Sequence, residues 1–367
     1  MLVNLYLKSI RTPLPEPDSL NLPLGRLERA KKYRRPEDRM RCLAAGFLLS
    51  ERLNVHSDDD LIYSAYGKPM LRSGAKCFNL SHSGDYAALA VADTPIGVDI
   101  ELIQPFDRQI VDECFTAQER LWLRERETDA AFFKLWTAKE AVMKAIGMGL
   151  SLHPLSFCVL PADASAHIVR GQSWYLRSAR VDEHMLCAAA GAPFSLCLRR
   201  EKTGKDDIMR IITERLSITP VSESELRLLA DKFKLSAPEL GAAYGEMLEN
   251  CQKHPGEYLW YAPWKMCLRE GGEEVGYAGF KGLSAECSAE IGYGTNEGHE
   301  GRGYATECVK ALCGWAVREK PGIRIEAETE ADNEASKRVL AKTGFLPTGE
   351  YGQEGPRYVL SDANLKD

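Results

Sequence analysis

The 367-residue sequence lacks several features that would assign it directly to a structural class. It has no apolar run long enough to span a bilayer, and its first apolar stretch, MLVNLYL, is too short for a secretory signal. It has no Cys-x-x-Cys pair, no internal repeat and no low-complexity segment of consequence. We therefore expect a globular cytoplasmic protein that makes no membrane contact.

An excess of basic residues is also lacking. The formal net charge is -6, and such a chain as a whole is a poor partner for nucleic acid, whose phosphates need a basic face. The eleven cysteines are odd in number and scattered, which suits neither a disulfide framework nor a tetrahedral zinc site. We expect them to be reduced core residues.

The length exceeds what one hydrophobic core usually serves, so the sequence predicts two domains. A charge-rich run, LRREKTGKDDIMR, separates the apolar FSLCL from a new strand-like segment, and the boundary is placed near Thr203. The predicted domains are therefore 1–203 and 204–367. The first mixes strands (YAALAVA, IGVDIEL, PLSFCVL, FSLCL) with the helical DAAFFKLWTAKEAVMKAIG, an α+β pattern.

The second region predicts one mixed α/β sheet domain. Its expected strands are RLSITPV, EYLWYAPWKMCLRE, EVGYAGFKG, AEIGYG and RIEAETE. Its expected helices are ESELRLLADKF, ATECVKALCGWAVREK and NEASKRVLAKTG.

Two carboxylates stand in the apolar strand GVDIELI. Asp99 and Glu101 are two residues apart, so they share one face of the strand. Glu140 and Lys144 share a face of the later helix. If Glu140 lies near Asp99 and Glu101, the three carboxylates suit Mg²⁺. A strand with a solvated face and a surface ion pair on the helix are the simpler alternatives.

Four ordered segments, YGKPML, FNLSHSG, GVDIE and FFKLWTAKEAVMKAIGMGL, closely resemble the 4'-phosphopantetheinyl transferases that activate peptide and polyketide synthetases. The resemblance covers most of residues 1 to about 200. It implies a fold of two similar α+β halves, and it implies transfer of the phosphopantetheine arm of coenzyme A to a serine of an apo acyl or peptidyl carrier protein.

The resemblance also implies roles for single residues. It makes Asp99, Glu101 and Glu140 the Mg²⁺ ligands, Glu140 the general base and Lys144 a phosphate-binding residue at the reacting centre. The remaining residues implied to contact coenzyme A are Arg26, Arg29, Arg41, Lys68, Ser81, His82 and Lys139. For any one of these arginines, a place on a solvated helix face is an equally good interpretation. A lone histidine such as His82 is often structural.

In the second domain, EIGYGTNEGHEGRGYATECVKAL places a glycine-rich turn between a strand and a helix. Glycines allow backbone N–H groups to approach a phosphate at a helix N-terminus, although many such turns only reverse the chain. Together with NEASKRVLAKTGFLPTGE, this segment closely resembles the GNAT N-acetyltransferases over about residues 208–360. The implied ligand is acetyl-CoA, and the implied acceptor is a small-molecule or peptide amine.

The GNAT resemblance places the acetyl-CoA diphosphate on the turn and Glu290 near the thioester as the candidate base. The turn departs from the family pattern, because Gly298 replaces a polar residue and Glu300 adds an acid. Two rival interpretations stay open: an acetyltransferase whose first domain only binds coenzyme A, and a phosphopantetheinyl transferase whose second domain is an inactive scaffold or docking module. The residues implied to contact acetyl-CoA are Gly301, Arg302, Gly303, Tyr304, Ala305, Asn333 and Ser336.

Overall fold

The computed structural model describes residues 1–12, 14, 22–161, 166–200, 209–236 and 238–361. The chain forms two compact units, Met1–Asp207 and Ile208–Asp367. The boundary predicted at Thr203 lies outside the described residues and stays a prediction. The described cysteines are all free of disulfide bonds.

In its described residues, the first unit has two similar halves, each built from a group of strands and a helix of 18 residues. One group has the order β10 (Ser195–Arg200), β1 (Leu2–Ser9), β5 (Tyr86–Ala92) and β4 (Cys77–Ser83). The other has the order β6 (Ile96–Leu102), β9 (His184–Ala190), β8 (Gln172–Val181) and β7 (His167–Val169). The predicted α+β fold of two halves is confirmed.

The two long helices of this unit cover the two groups of strands. Helix α2 (Pro36–Leu53) packs on the first group and α5 (Asp129–Ile146) on the second. The N-cap of α5 is Thr128, whose hydroxyl accepts from the Ala131 N–H, and α5 ends at Gly147, which has a φ of 81°. The other elements are α1 (Leu24–Lys32), the hairpin β2 (Leu61–Tyr63) and β3 (Pro69–Leu71), α3 (Gln109–Cys114) and α4 (Ala117–Arg124).

The second unit is built on one mixed sheet, as predicted. The strand order is β11 (Arg210–Ile212), β12 (Leu216–Pro220), β13 (Trp264–Leu268), β14 (Glu274–Phe280), β15 (Ser288–Thr295), β16 (Arg324–Glu328), β18 (Pro356–Leu360) and β17 (Phe345–Tyr351). The β15–β16 pair is parallel. The helices are α6 (Glu223–Ser236), α7 (Pro238–Lys253), α8 (Tyr304–Glu319) and α9 (Glu334–Thr343).

One strand prediction was wrong, and another was right only in its second half. PLSFCVL begins with a 3-10 turn at Pro154–Ser156 and continues without a partner strand, although Phe157 and Val159 are buried in the core of the first unit. In EYLWYAPWKMCLRE, residues 257–260 belong to the 3-10 helix Pro255–Trp260, whereas Trp264–Leu268 form β13. Pro154 starts the first turn, and Pro255 starts the second one just before its segment. The apolar residues that follow each proline pack in a core without joining a sheet.

No helix in the described ranges combines the length and apolar character that crossing a bilayer requires. The cytoplasmic location and the absence of nucleic-acid partners stay predictions.

Candidate active site

The centre of the first unit lies where α5 meets β6. Gly97 brings the two elements together, because a Cβ atom at this position would lie 1.9 Å from the carbonyl oxygen of Ala141 and 2.4 Å from the backbone nitrogen of Ala145. In a strand, Asp99 and Glu101 share the face of Gly97. The close approach therefore turns both carboxylates toward the helix that carries Glu140 and Lys144.

Lys144 supplies the positive charge that the buried Asp99 needs. Its Nζ lies 2.6 Å from Asp99 Oδ1 and donates to Ser81 Oγ at 3.1 Å. Asp99 is 2% exposed, and burying a carboxylate without such a partner would be costly. The ion pair of Lys144 is thus with Asp99 of β6. No ion pair between Lys144 and Glu140 is found in the described residues.

Alternate side chains of β4 bond to the β6 backbone. The Val98 N–H donates to Asn79 Oδ1 at 2.9 Å. The Ile100 N–H donates to Ser81 Oγ at 3.3 Å, and the Leu102 N–H donates to Ser83 Oγ at 3.2 Å. The hydroxyl of Ser81 also donates to Asp99 Oδ1 at 2.8 Å.

The hydroxyl of Ser83 donates to Glu101 Oε2 at 2.6 Å. Sequence reasoning missed Asn79 and Ser83, although their spacing of two around Ser81 was a usable signal.

The three carboxylates repel one another electrostatically. Burial, followed by the charge of Asp99, raises the pKa of Glu101 to about 7, while its bond from Ser83 opposes this. Burial and then Asp99 also raise the pKa of Glu140. Burial lowers the pKa of Lys144, but Asp99, Glu140 and Glu101 outweigh it, so that pKa is raised.

These residues fit a hard cation. Asp99 Oδ2 is buried and accepts no hydrogen bond from the described residues, and no hydrogen bond to the Glu140 carboxylate is found there either. Carboxylate oxygens are the ligands that Mg²⁺ prefers. Among the described residues, no group of three His, Cys, Asp or Glu side chains has the arrangement of a ready metal site. The donor types therefore fit Mg²⁺ without forming a closed cage.

Cationic side chains lie beside this acidic group. Partial burial, then the charges of Arg41, Lys144 and Arg29, lower the pKa of His82, whose ring is still substantially exposed. Arg41 donates to Asp38 Oδ1 and to the Gly84 carbonyl, each at 2.5 Å, so it also holds the turn that follows His82. The predicted residues Arg29, Arg41, His82 and Lys144 are therefore close enough to interact electrostatically.

Arg26 and Lys68 have packing roles in the structure. The stem of Arg26 lies 3.1 Å from where a Cβ atom of Gly46 would be, so it packs between α1 and α2. Lys68 Nζ donates to the carbonyls of Lys144 and Ala145 at 2.7 and 3.0 Å, and to that of Ile96 at 3.0 Å. Lys68 thus satisfies carbonyls in the last turn of α5, and burial lowers its pKa to about 8.

Lys139 is separated from the acidic group. It is 1% exposed, and its Nζ lies 2.9 Å from Oε2 of Glu119, which is fully buried. The same ammonium donates to the carbonyls of Pro154 and Phe157, both at 2.7 Å. These three contacts place Lys139 in the core between α4 and α5, so its ammonium is engaged by Glu119 and two carbonyls.

The glycine-rich turn of the second unit adopts the backbone conformation that its glycines allow. Gly298, Gly301 and Gly303 have φ values of 80°, 71° and 81°, and Gly303 directly precedes α8. Tyr304 and Ala305 begin the helix. The backbone N–H groups at this N-terminus form a cradle suited to an anion.

The parallel pairing of β15 with β16 ends early. It joins Ser288–Arg324, Ala289–Ile325 and Glu290–Glu326, whereas Ile291 to Thr295 pair with β14 alone in the described ladder. The two strands therefore diverge toward the glycine-rich turn, which leaves strand backbone groups available to a ligand.

The predicted Asn333 and Ser336 lie at the start of α9. Asn333 is its N-cap, and its Oδ1 accepts from the Ser336 N–H at 2.9 Å. The Tyr293 hydroxyl of β15 lies 2.8 Å from Ser336 Oγ, a contact that sequence reasoning missed. Burial raises the pKa of Tyr293.

Glu290, the candidate base, is ion-paired. Lys281 Nζ lies 2.5 Å from Glu290 Oε1 and also contacts Glu354. The Lys281 ammonium therefore occupies one oxygen of the Glu290 carboxylate. Glu300 and Arg302 are exposed side chains of the turn, so Glu300 is not buried against the cradle.

Family models match both units. Residues 95–192 match the model described as the 4'-phosphopantetheinyl transferase superfamily, and residues 215–346 match the model described as an acetyltransferase (GNAT) domain. The 4'-phosphopantetheinyl transferase HetI of Nostoc sp. is 30% identical over 210 residues, which cover 50% of this chain and 86% of HetI.

Other similar proteins match a smaller share of this chain. The 4'-phosphopantetheinyl transferase gsp of Aneurinibacillus migulanus is 35% identical over 115 residues, which are 30% of this chain and 48% of gsp. The chain thus spans about half the length of that relative. A solved acetyltransferase from Agrobacterium tumefaciens matches 44% of this chain and 99% of its own, at 22% identity and a TM-score of 0.35.

Proposed function

The chain belongs to the 4'-phosphopantetheinyl transferase family, and from that premise we propose that its first unit transfers 4'-phosphopantetheine from coenzyme A to a serine of an apo acyl or peptidyl carrier protein. The serine oxygen forms a bond to the phosphorus of the phosphopantetheine arm, and the broken diphosphate bond releases 3',5'-ADP. The observation that carries the proposal is the Asp99–Lys144 pair. It lies beside two further carboxylates and within the electrostatic reach of Arg41 and His82.

This arrangement suits a diphosphate ester. Lys144 and the arginines attract its phosphate oxygens and stabilise the charge that develops on them during transfer. Mg²⁺ held by Asp99, Glu101 and Glu140 would neutralise further charge on the diphosphate. In this proposal Glu140, the general base that the resemblance implies, accepts the serine proton.

The test is the mass of an apo carrier protein after incubation with coenzyme A, Mg²⁺ and the full chain. We expect a gain equal to phosphopantetheine and a rate about a hundredfold lower for Asp99→Asn and Glu140→Gln. Glu113→Gln, at an exposed glutamate of α3, should match wild type. No gain across several acyl and peptidyl carriers would reject the proposal.

For the second unit, we propose acetyl transfer from acetyl-CoA to an amine. The diverging β15 and β16 carry this proposal, because their free backbone groups lead to the anion cradle at α8. Such a site holds the thioester beside an acceptor amine.

Thiol release from acetyl-CoA tests this second activity, because phosphopantetheine transfer frees no thiol. We expect amine-dependent release that persists in Asp99→Asn and is lost in Gly301→Val, whose side chain opposes the positive φ of the turn. Release independent of amine, or release unchanged in Gly301→Val, would contradict it.

A further inference from the structure

The anion cradle of the second unit lacks the polar side chain that the family pattern places at position 298. Gly298 provides no side chain, and Glu300 places an acid in the same turn. Glu307 adds another in the first turn of α8. Arg302 belongs to the same turn, but its side chain is exposed. A cation held in place beside the backbone N–H groups would therefore balance these acids when a diphosphate binds.

Arg215 reaches the turn from the segment that precedes β12. Its Nε lies 2.7 Å from Glu307 Oε2, and its backbone N–H donates to Glu307 Oε1 at 2.8 Å. Its NH1 donates to the Arg302 carbonyl at 2.8 Å. Arg215 is therefore bonded to the glycine-rich turn at Arg302 and to the first turn of α8 at Glu307.

The third guanidinium nitrogen is still available. Arg215 NH2 makes no hydrogen bond to the described residues, and it lies 3.4 Å from where a Cβ atom of Gly303 would be. The side chain is 44% exposed, and its guanidinium carbon lies 4.8 Å from the ring centre of Tyr304. Because Gly303 has no side chain, nothing on that residue separates NH2 from the backbone N–H groups of the cradle.

We propose that Arg215 is a diphosphate-binding residue of the second unit and supplies the polar group that Gly298 lacks. The inference rests on the proposed binding of acetyl-CoA. Glu307 and the Arg302 carbonyl hold the guanidinium in place, while NH2 donates to a phosphate oxygen together with the N–H groups of the turn. Arginine suits this role because its donors are planar and its charge is permanent.

The test is hydrogen–deuterium exchange of the full chain, followed at the peptides that span the glycine-rich turn, with increasing acetyl-CoA. Reading these peptides isolates the second unit from any binding by the first. The second probe is S-acetylpantetheine, which has the thioester arm without the diphosphate. For Arg215→Gln we expect protection to require about tenfold more acetyl-CoA, with less than a twofold change for S-acetylpantetheine.

Two further variants separate a binding role from a merely structural one. Glu307→Gln keeps an acceptor for Arg215 and removes a negative charge, so we expect protection at equal or lower acetyl-CoA concentration. A purely structural clamp predicts weakening in both Glu307→Gln and Arg215→Gln, for both probes. Lys310→Gln, which removes an exposed cation of α8, should match wild type.

The outcomes distinguish this inference from the proposed function. Absence of protection in the wild-type chain would reject acetyl-CoA binding itself. Wild-type protection with an unchanged midpoint in Arg215→Gln would overturn the role of Arg215 alone. If Arg215→Gln does not fold, an equal weakening of acetyl-CoA and S-acetylpantetheine protection by Glu307→Gln would overturn it.

Discussion

The backbone of Ala141 occupies the space that a side chain at Gly97 would need. A Cβ atom there would lie 1.9 Å from the Ala141 carbonyl oxygen, a distance that rigid backbone cannot relieve by small movements. Because Gly97 lies on the face of Asp99, this contact sets the distance between the acidic strand and the helix of Lys144. Gly97 is therefore needed for its small size.

We expect Gly97→Ala to displace α5 from β6, to lower the free energy of unfolding by about 2 kcal/mol or more, and to reduce phosphopantetheine transfer strongly. Thermal unfolding and the carrier mass assay measure the two effects. Gly191→Ala is the control, since a Cβ atom at Gly191 has no neighbour within 4 Å. Wild-type activity in Gly97→Ala would show that the two elements need not approach so closely.

Lys68→Met should impair turnover more than coenzyme A binding. The substitution removes three hydrogen bonds to carbonyls at the end of α5 and in β6, which should cost about 2–3 kcal/mol. We expect kcat to fall more than KM for coenzyme A rises, because Lys144 shifts with the helix and its charge acts mainly on the phosphate that is transferred. A raised KM with unchanged kcat would instead support direct contact with coenzyme A. Lys76→Met, at an exposed lysine paired with Asp93, is the control.

Lys139→Met should destabilise the first unit without affecting coenzyme A binding. It leaves the Glu119 carboxylate buried without its ion-pair partner, which typically costs about 3–5 kcal/mol. We expect the double variant Lys139→Met and Glu119→Gln to recover part of that loss, because no charge is then buried. Denaturant unfolding gives the stabilities. A higher KM for coenzyme A at wild-type stability would assign Lys139 to the binding site.

Patterning along the chain predicted much of the fold. The helices carrying Lys144 and Ser336 and the strands carrying Asp99 and Glu290 are present, because each has the apolar period of its element. The failures in PLSFCVL and in EYLWYAPWKMCLRE have one cause. Short apolar runs are equally suited to core-filling turns, and only the tertiary structure decides whether a partner strand is available.

Partners of individual side chains were harder to predict. Glu140 and Lys144 have the spacing of a helical ion pair, yet Lys144 pairs with Asp99 because α5 lies directly on β6. Lys139 is next to Glu140 in sequence, but successive helix residues point about 100° apart, which turns Lys139 to the core. Arg215 lies 92 positions before Glu307 in the sequence, and local residue spacing cannot predict a contact over that separation.

The acidic group should make the first unit less stable as the pH rises. The pKa of Glu101 is raised from 4.5 to about 7, so the folded state binds a proton more tightly than the unfolded chain does. Stability therefore falls as the pH rises through this window, and the loss is complete above about pH 7. Glu101→Gln removes the titration, and we expect it to exceed wild type by about 1–2 kcal/mol at pH 8, after allowance for solvent screening.

Measuring unfolding of both proteins at pH 4.5 and pH 8, without Mg²⁺, isolates Glu101, because other titrating groups are common to both. The advantage of Glu101→Gln should appear only at pH 8, while the variant loses phosphopantetheine transfer. Mg²⁺ should stabilise wild type at pH 8 more than the variant, since the cation offsets the repulsion between Glu101 and Asp99. Equal stability at pH 8 would mean that Ser83 and Lys144 already compensate the Glu101 charge. The carboxylates would then lack the excess negative charge that favours a bound cation.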